Sequence, residues 1–362
     1  MPISPLLEKL QQAGAQWRPG SDGAAAGAMP QSFGSVEEEY WAIKEAAGLL
    51  DLSHRGWLLV RGRDAPRFLH GMVTNEVKQM EVGQGNQAFF LDVHGHILAD
   101  ARILRLDATT YWVVTDAQCV EPVRQTLQKH IIADRVAVED PGAGGWLAIE
   151  GPCALEVLRE AVGFDPPHMR PLEHLELPDS PLRLVRTSAA GEFGFWISGP
   201  GEQLAGIWDR SLQLGKSLGV RPVGFDAAEI CRIEAGVPRY GADINEKTLP
   251  QETGQMHAIS FNKGCYLGQE VVERIRSRGH VNRKLVGVLF EGKQDVSPGA
   301  GIATQGQAVG SITSAAYSFG LHRTIALAMV RREAAEAGTA VTVGVLAAEI
   351  TSLPFFFPMA RT

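Results

Sequence analysis

The sequence predicts an α+β protein that contains a duplicated α/β unit, a third segment and a small antiparallel β-barrel at its C-terminal end. Three observations lead to this prediction. A strand, glycine and helix pattern occurs twice, a helix-like segment follows the second copy, and short alternating strands begin at Arg283. Because 362 residues exceed what one hydrophobic core usually supports, we expect more than one packed unit.

The internal repeat carries most of this argument. The segment WLLVRGRDAPRFL, beginning at Trp57, resembles WLAIEGPCALEVL, beginning at Trp146. Both follow the pattern G-x-x-A-x-x-x-L, in which small residues allow a helix to lie close to the strand before it. An apolar strand, a polar glycine turn and another strand then follow each copy. The pattern predicts one unit over residues 57–140 and a related unit over residues 146–220.

The N-terminal part shows two different patterns. Residues 19–34 are rich in glycine, proline and small residues without periodicity, so we expect residues 1–34 to form a flexible lead-in. Ser35 and Glu38 then form a capping box, which predicts a helix that continues as far as Gly48.

The remaining boundaries follow from turn signals and strand patterns. The proline-rich residues 165–181 predict a linker or an excursion within the second half, and residues 225–236 predict a helix. From residue 283 onward the short strands predict a barrel, with AVTVGVLA as its last strand. We therefore expect a main domain over residues 35–282 and a barrel domain over residues 283–362.

Composition and charge exclude several classes of function. The net charge is −7 and the sequence pI is about 5.8, which argues against a protein whose whole surface binds nucleic acid or anionic membrane and leaves a local basic patch open. No secretory signal and no apolar run near the ~20 residues of a membrane span are present, so we expect a protein of the cytoplasm or of an organelle matrix, with no membrane partner, and we take the cytoplasm as the prediction. The four cysteines lack CxxC spacing, which argues against a zinc ribbon or a disulfide framework.

The segment KGCYLGQE, which contains Cys265, differs from the rest of the chain. Lysine and arginine outnumber glutamate from Lys263 to Lys284, although the chain as a whole is acidic. Nearby positive charge stabilises a thiolate, and Gly264 allows a ligand to approach the backbone, so Cys265 is our candidate catalytic residue. The residue types alone leave open a structural cysteine in a turn, followed by a solvated helix face.

The same segment, extended as KGCYLGQEVVERIRSRG, resembles the signature of the YgfZ family of folate-binding proteins. Eukaryotic members of that family assist iron-sulfur cluster assembly, and the family is itself similar to the T-protein, the aminomethyltransferase of the glycine cleavage system. The resemblance also covers residues 48–77, 232–244 and 309–330. It implies a central cleft that binds tetrahydrofolate or a one-carbon derivative of it.

Two acidic residues are candidate folate contacts by this resemblance. Glu192 matches a glutamate that hydrogen-bonds the pterin ring in T-proteins, and a carboxylate suits the two N–H groups of an aminopyrimidine edge. Asp100 matches the second residue of an acidic pair linked to aminomethyl transfer, whereas Ala99 replaces the first. From residue type alone, Glu192 is equally compatible with an exposed turn and Asp100 with a solvent-facing strand position.

Arg232 and Lys263 complete the candidate folate contacts. For Arg232 a structural salt bridge, for example with Glu229, is as consistent with the sequence as a role in the pocket. His94 and His96 flank a glycine, but two histidines without a third ligand do not indicate a metal site, and we predict none.

The three other cysteines are expected in the core, and the chain lacks the cysteine set of a stable iron-sulfur cluster. They are Cys119, Cys153 and Cys231.

Two functions follow from the resemblance. The first is an accessory protein that binds tetrahydrofolate and uses Cys265 in the assembly or repair of iron-sulfur enzymes, with the assembly machinery or client proteins as partners. The alternative is a folate-dependent aminomethyltransferase. Ala99 and the cysteine segment favour the first. A protein that binds RNA through the basic segment is disfavoured, because no aromatic stacking platform accompanies the charges.

Overall fold

The computed structural model describes residues 4–17 and 29–355, except for the side chain of Arg278. Numbered along the chain, its α-helices are α1 (Leu7–Gln12), α2 (Val36–Glu45), α3 (Ala65–Met72), α4 (Ala117–His130), α5 (Ala154–Val162), α6 (Gly201–Gln213), α7 (Gly215–Leu218), α8 (Phe225–Glu234) and α9 (Gln269–Arg278).

The strands form a closed barrel, a six-stranded sheet and a five-stranded sheet. They are β1 (Ala47–Asp51), β2 (Arg55–Arg61), β3 (Gly85–Leu91), β4 (Ile97–Arg105), β5 (Thr110–Asp116), β6 (Ala137–Glu139), β7 (Gly145–Glu150), β8 (His174–Glu176), β9 (Arg183–Val185), β10 (Gly194–Gly199), β11 (Val220–Pro222), β12 (Arg283–Phe290), β13 (Gly301–Thr304), β14 (Gln307–Ser318), β15 (Arg323–Arg331), β16 (Ala340–Val343) and β17 (Leu346–Thr351).

The chain divides into two compact units, and both are assembled from separate stretches of sequence. The first unit contains Met1–Pro66, Gln79–Asn86 and Ala101–Glu229, and the second contains Arg67–Lys78, Gln87–Asp100 and Ile230–Thr362. The domain boundaries inferred from the sequence follow motifs and not these contacts, and they stay predictions.

In the first unit, the six-stranded sheet has the order β11-β1-β7-β10-β9-β8. Only β11 runs parallel to its neighbour, and β1, β7, β10, β9 and β8 pair antiparallel in turn. Helices α5 and α6 cover this sheet with apolar side chains, among them Leu158 and Trp208, which pack with Leu49, Ile149 and Ile197 in one core. Burial of these side chains supplies the main driving force for folding of the sheet.

The repeat found in the sequence is confirmed as two strand-glycine-helix units, β2 with α3 and β7 with α5. The glycines between strand and helix have positive φ angles, 138° at Gly62 and 122° at Gly151. A Cβ atom at Gly62 would lie 2.0 Å from the carbonyl oxygen of Arg135, and one at Gly151 would lie 2.7 Å from that of Ala46. Both the backbone angle and the close approach therefore require glycine.

The N-terminal predictions hold in part. The N-cap half of the capping box is confirmed, because the Ser35 side chain accepts a hydrogen bond from the Glu38 N–H at 3.3 Å, while the Glu38 carboxylate pairs with Arg221. The helix, however, ends at Glu45, and Gly48 lies in β1. Within the predicted lead-in, α1 is formed and Leu10 is fully buried, because it packs into the core of the first unit. Residues 1–3 and 18–28 of the lead-in lie outside the described residues.

The proline-rich residues 165–181 are largely irregular and include one three-residue strand, β8, which pairs with β9. One prediction of secondary structure was wrong. The segment AVTVGVLA forms parts of two strands, β16 and β17, rather than one. Gly344 lies between them with φ of 60°, a left-handed conformation that suits a tight hairpin turn.

In the second unit, the predicted barrel is confirmed. It is closed in the order β12-β15-β14-β13-β16-β17, and all its pairings are antiparallel. Its interior is lined by small and branched side chains such as Val288, Ile312 and Ala328. Outside the barrel, α8, α9 and two short 3-10 helices accompany the segment 87–100, and Phe89, Ile97 and Tyr266 belong to one buried cluster there.

Candidate functional site

Glu192 lies in the turn between β9 and β10 of the first unit. Its Oε1 atom is 2.5 Å from Nζ of Lys44, and both side chains are only 17% exposed. The sequence left open that Glu192 is an exposed turn residue, and the structure shows that it is partly buried. Glu192 is a partly buried carboxylate in an ion pair, and at this low exposure its interactions are weakly screened by solvent.

The turn that carries Glu192 is organised by Glu150, a residue that the sequence analysis missed. Glu150 ends β7 and is fully buried. Its carboxylate accepts hydrogen bonds from the N–H groups of Ala189 at 2.5 Å and Ala190 at 2.9 Å, from the Ser188 hydroxyl at 2.8 Å and from the Trp196 indole at 3.4 Å. Burial raises the pKa of Glu150, and these four donors act in the opposite direction.

Ser188 connects Glu150 to the backbone of Glu192. The Ser188 hydroxyl donates to Glu150 and accepts from the N–H groups of Gly191 at 2.8 Å and Glu192 at 3.0 Å. On the carbonyl side, the Arg102 guanidinium donates to the Ser188 carbonyl oxygen at 3.1 Å and to the Thr187 hydroxyl at 3.2 Å. Anionic and cationic side chains thus satisfy the donors and acceptors of one turn.

Asp100 lies on β4, in the second unit. Neighbouring side chains point to opposite faces of a strand, and here Ala99 is fully buried while Asp100 is partly exposed. The amide Nε2 of Gln87 donates to Asp100 Oδ1 at 2.9 Å and to Gln255 Oε1 at 2.6 Å. His257 contacts the other end of the same amide at 3.0 Å. Asp100 is therefore part of a polar network on the accessible face of β4.

Arg232 is almost fully buried in the second unit, with 4% exposure. Its guanidinium donates to Asp243 Oδ2 at 2.7 Å, to Ser314 Oγ at 2.7 Å and to the Val237 carbonyl oxygen at 2.9 Å. These bonds connect α8 to the barrel strand β14. Of the two roles left open by the sequence, the structure supports the structural salt bridge, with Asp243 as the ion-pair partner, and a folate contact stays a prediction.

Lys263 binds the backbone at the end of α3 and in the loop that follows this helix. Its Nζ atom donates to the carbonyl oxygens of His70 at 2.5 Å, Val73 at 2.6 Å and Asn75 at 2.8 Å. Burial lowers the pKa of Lys263 to about 7, whereas nearby Glu76 raises it. An ammonium group with three acceptors is already satisfied by the protein, so the geometry indicates a structural role, and its predicted contact with folate is untested.

Cys265 is exposed, and it is the one cysteine among the described residues with that degree of access. Cys119 and Cys231 are buried, as predicted, while Cys153 is only partly buried. Of the glycines in the segment, Gly268 is the one that the fold requires, since its φ is 81° and an added Cβ would lie 2.6 Å from the Asp92 carbonyl oxygen. A Cβ at Gly264 would meet no atom closer than 3.8 Å.

The candidate residues divide between the two units. Glu192 belongs to the first unit, and Asp100, Arg232, Lys263 and Cys265 belong to the second. In residues 4–17 and 29–355, no group of three His, Cys, Asp or Glu side chains is arranged to hold a metal ion. Across the same ranges, no helix is both long enough and apolar enough to span a membrane.

Comparison with known proteins agrees with this architecture over most of the chain. Residues 6–263 match the GCVT N-terminal domain, and residues 283–356 match the glycine cleavage T-protein C-terminal barrel domain. The fold is thus that of a glycine cleavage T-protein-like protein with a C-terminal barrel.

Individual relatives give the same result. The aminomethyltransferase of Symbiobacterium thermophilum is 32% identical over 345 residues, which cover 91% of each chain. That of Caldanaerobacter subterraneus subsp. tengcongensis is 29% identical over 320 residues, covering 87% of this chain and 85% of the relative. The crystal structure of glycine cleavage system aminomethyltransferase T from Bartonella henselae superimposes with a TM-score of 0.89 at 26% identity, covering 97% of each chain. This chain belongs to the GCVT family.

These findings decide some of the expectations from the sequence. The predicted fold class is confirmed, and so is the wider superfamily to which the YgfZ proteins and the T-proteins belong. Aminomethyltransferases of this family use tetrahydrofolate, which confirms the predicted cofactor. The relatives described above are named aminomethyltransferase and not YgfZ, so the narrower assignment stays a prediction.

Proposed function

We propose that this protein binds tetrahydrofolate, or a one-carbon derivative of it, and transfers an aminomethyl-derived carbon to the folate. The observation that carries this proposal is the similarity to aminomethyltransferases along 91% of the chain, which includes both matched domains. This ordering reverses the preference drawn from the sequence, where Ala99 and the cysteine segment favoured an accessory role.

The described residues suit the predicted ligand. An aminopyrimidine edge presents two N–H donors, and Glu192 offers a carboxylate on a turn that Glu150, Ser188 and Arg102 hold in place. Because Glu192 is only 17% exposed, a hydrogen bond to it forms in a partly desolvated environment, where such bonds are stronger. We assign Glu192 to recognition of the pterin.

Asp100 is the residue that we assign to proton transfer. Joining a methylene carbon to folate nitrogens requires protons to leave those nitrogens, and a positioned carboxylate can accept one. Ala99 lacks such a group and is buried, whereas Asp100 is partly exposed and held by Gln87. The absence of an acid at position 99 therefore leaves one carboxylate of the pair at the accessible strand position.

A transfer assay tests the proposal. The purified protein is mixed with tetrahydrofolate and an aminomethylated lipoyl carrier protein, and release of ammonia and formation of methylenetetrahydrofolate are followed. We expect turnover, and Asp100→Asn should lower kcat about 100-fold or more, the usual effect of losing a general base. Asp295→Asn, at an exposed position on the barrel, is the control and should retain full activity. Absence of turnover under saturating substrates would refute the transfer activity.

A second candidate function rests on a different observation. Cys265 is exposed, while Cys119 and Cys231 are buried. An accessible thiol supports the accessory function in iron-sulfur enzyme assembly or repair, with assembly factors or client proteins as partners. In this function folate binding remains, and Cys265 rather than Asp100 is the residue on which activity depends.

Complementation separates the two functions. In a strain that lacks the gene, Cys265→Ser should fail to restore iron-sulfur enzyme activity if the accessory function is correct, while Cys153→Ser, at a partly buried cysteine, should restore it. Full complementation by the Cys265→Ser protein would exclude the thiol-dependent role. The cytoplasmic location predicted from the sequence can be examined in the same strain by fractionation.

A further inference from the structure

We propose that Glu150 and Ser188 are positioning residues that fix the backbone of Glu192 for ligand binding. The inference rests on the proposed function, because Glu192 is the residue assigned there to the pterin. It concerns two residues that would not touch the ligand themselves.

The first step of the argument is the chemistry of Glu150. The side chain is fully buried, yet four donors converge on its two oxygens: two backbone N–H groups, a hydroxyl and an indole N–H. An ionised carboxylate accepts hydrogen bonds only, so it fits a set composed of donors. A buried carboxylate without such partners would be strongly destabilising, and here the donors come mainly from one short turn.

The second step is the connection through Ser188. Its hydroxyl proton is donated to Glu150, which leaves the oxygen lone pairs to accept from the N–H groups of Gly191 and Glu192. The hydroxyl is thereby oriented by the carboxylate. If Glu150 no longer accepted that proton, the hydroxyl could rotate and the two N–H groups would lose their acceptor.

The third step concerns the rest of the turn. Gly191 has φ of 84°, a conformation that needs glycine and that other contacts must maintain. Arg102 binds the turn at Thr187 and Ser188, on the N-terminal side of Gly191. The backbone N–H of Glu192 itself donates to the Ser188 hydroxyl, which in turn donates to Glu150. These two hydrogen bonds determine where the Cα of Glu192, and therefore its carboxylate, is placed.

Substitutions at these two positions test the inference. Glu150→Gln replaces one oxygen by an NH2 group, which faces an N–H donor whichever way the amide is oriented. Ser188→Ala removes only the connecting hydroxyl and disturbs the core less. Ser188→Thr keeps a hydroxyl and should behave like the wild-type protein. Asp51→Asn is the matched control, because Asp51 is also a buried carboxylate of the first unit that accepts a backbone N–H, that of Ser53.

Two measurements are made on each full-length variant. Hydrogen-deuterium exchange of the peptide covering residues 188–192 reports the order of the turn without any ligand. We expect deuterium uptake to be at least about 10-fold faster in Ser188→Ala and Glu150→Gln, and unchanged in Ser188→Thr and Asp51→Asn. The reason is that losing a hydrogen bond that contributes about 1.4 kcal/mol changes the equilibrium for opening of the turn about 10-fold. Unchanged exchange in Ser188→Ala would overturn the inference.

The second measurement is the Kd for tetrahydrofolate, which should rise about 10-fold in the same two variants and stay constant in the two controls. Faster exchange with an unchanged Kd would show that the turn is ordered by Glu150 but does not serve binding, and would overturn the functional part. Failure of the wild-type protein to bind folate would refute the proposed function instead, and the exchange data would still decide whether Glu150 and Ser188 order the turn.

Discussion

Two irregular segments of this molecule are held by charged side chains of opposite sign, the fully buried Glu150 and the partly buried Lys263. In the first unit, the Glu150 carboxylate accepts hydrogen bonds from the turn that contains Glu192. In the second unit, the Lys263 ammonium donates to three carbonyl oxygens, one in the last turn of α3 and two in the loop that follows it. A turn whose N–H groups point inward is stabilised by an anion, and a loop whose carbonyl groups point inward is stabilised by a cation.

The difference in sign shows which backbone segment each charged residue stabilises. Burial raises the pKa of Glu150 and lowers that of Lys263, so in both cases it favours the neutral form. The hydrogen bonds to the backbone favour the charged form of each side chain. They also order an irregular segment that lacks the backbone pairing of a helix or a sheet. Glu150 orders the segment with the proposed ligand residue Glu192, whereas Lys263 orders the loop beside the segment of Cys265.

The largest effect is expected when the ammonium group is removed. Lys263→Met leaves three partly buried carbonyl oxygens without a charged donor, and a hydrogen bond to a charged group contributes about 1.5 to 3 kcal/mol. Since the cost of burying the charge also disappears, we expect the free energy of unfolding to fall by about 3 kcal/mol in urea titrations. Lys284→Met, at an exposed lysine, is the control and should change it by less than about 0.5 kcal/mol. Equal effects would mean that Lys263 does not hold the loop.

The opposite charges also predict opposite pH dependences. Folded Lys263 releases its proton near pH 7 while the unfolded chain keeps it to about 10.5, so its contribution to the free energy of unfolding rises with pH between these values. Folded Glu150 keeps its proton to higher pH than the unfolded chain, so its contribution falls as pH rises above about 4.5. The slope is at most about 1.4 kcal/mol per pH unit for each group.

The measurement is a pH series of urea unfolding for the wild-type protein, Lys263→Met and Glu150→Gln. The free energy of unfolding of the wild-type protein relative to that of Lys263→Met should rise as the pH increases above 7. The free energy of unfolding of the wild-type protein relative to that of Glu150→Gln should fall as the pH rises above 4.5. If the free energy of unfolding of the wild type relative to Lys263→Met stays constant from pH 7 to 10, the three hydrogen bonds to carbonyl oxygens cancel the effect of burial on the pKa of Lys263.

The smallest effect on stability is expected at Cys265. Because this side chain is exposed, Cys265→Ser should change the free energy of unfolding by less than about 0.5 kcal/mol and leave folate binding intact. The exposure of the Cys265 thiol should instead increase its rate of alkylation. Iodoacetamide at neutral pH should label Cys265 first, and should label the buried Cys119 and Cys231 only after unfolding. Mass spectrometry of partially labelled protein decides the order, and first labelling of Cys119 or Cys231 would contradict the structure.

Local sequence patterns were sufficient for much of the fold. The repeat around Gly62 and Gly151 was visible because a positive φ and a close backbone approach leave glycine as the only residue that fits. The helix N-cap at Ser35 and the alternating strands of the barrel follow equally local rules. The hairpin at Gly344 was missed because the apolar pattern continues through the turn.

The contacts that organise the site could not be read in the same way. Glu150 is the last residue of an apolar strand, and nothing local indicates that a turn nearly 40 residues later will direct its N–H groups at it. Lys263 was interpreted as part of a basic patch near the thiol, yet its acceptors lie in a loop about 190 residues earlier. Long-range pairing of charges with backbone groups leaves no periodic signal in the sequence.

Binding of tetrahydrofolate is the most direct test of the proposed function. The intrinsic tryptophan fluorescence of the protein is followed during titration with tetrahydrofolate, and Trp196 is a suitable reporter because its indole donates to Glu150, beside the turn of Glu192. We expect a saturable change, and Glu192→Gln should weaken binding by about 1.5 to 3 kcal/mol through loss of a charged acceptor. Glu202→Gln, at an exposed glutamate of α6, should bind like the wild-type protein. A titration without saturable change in the wild-type protein, or an unchanged affinity in Glu192→Gln, would contradict this assignment.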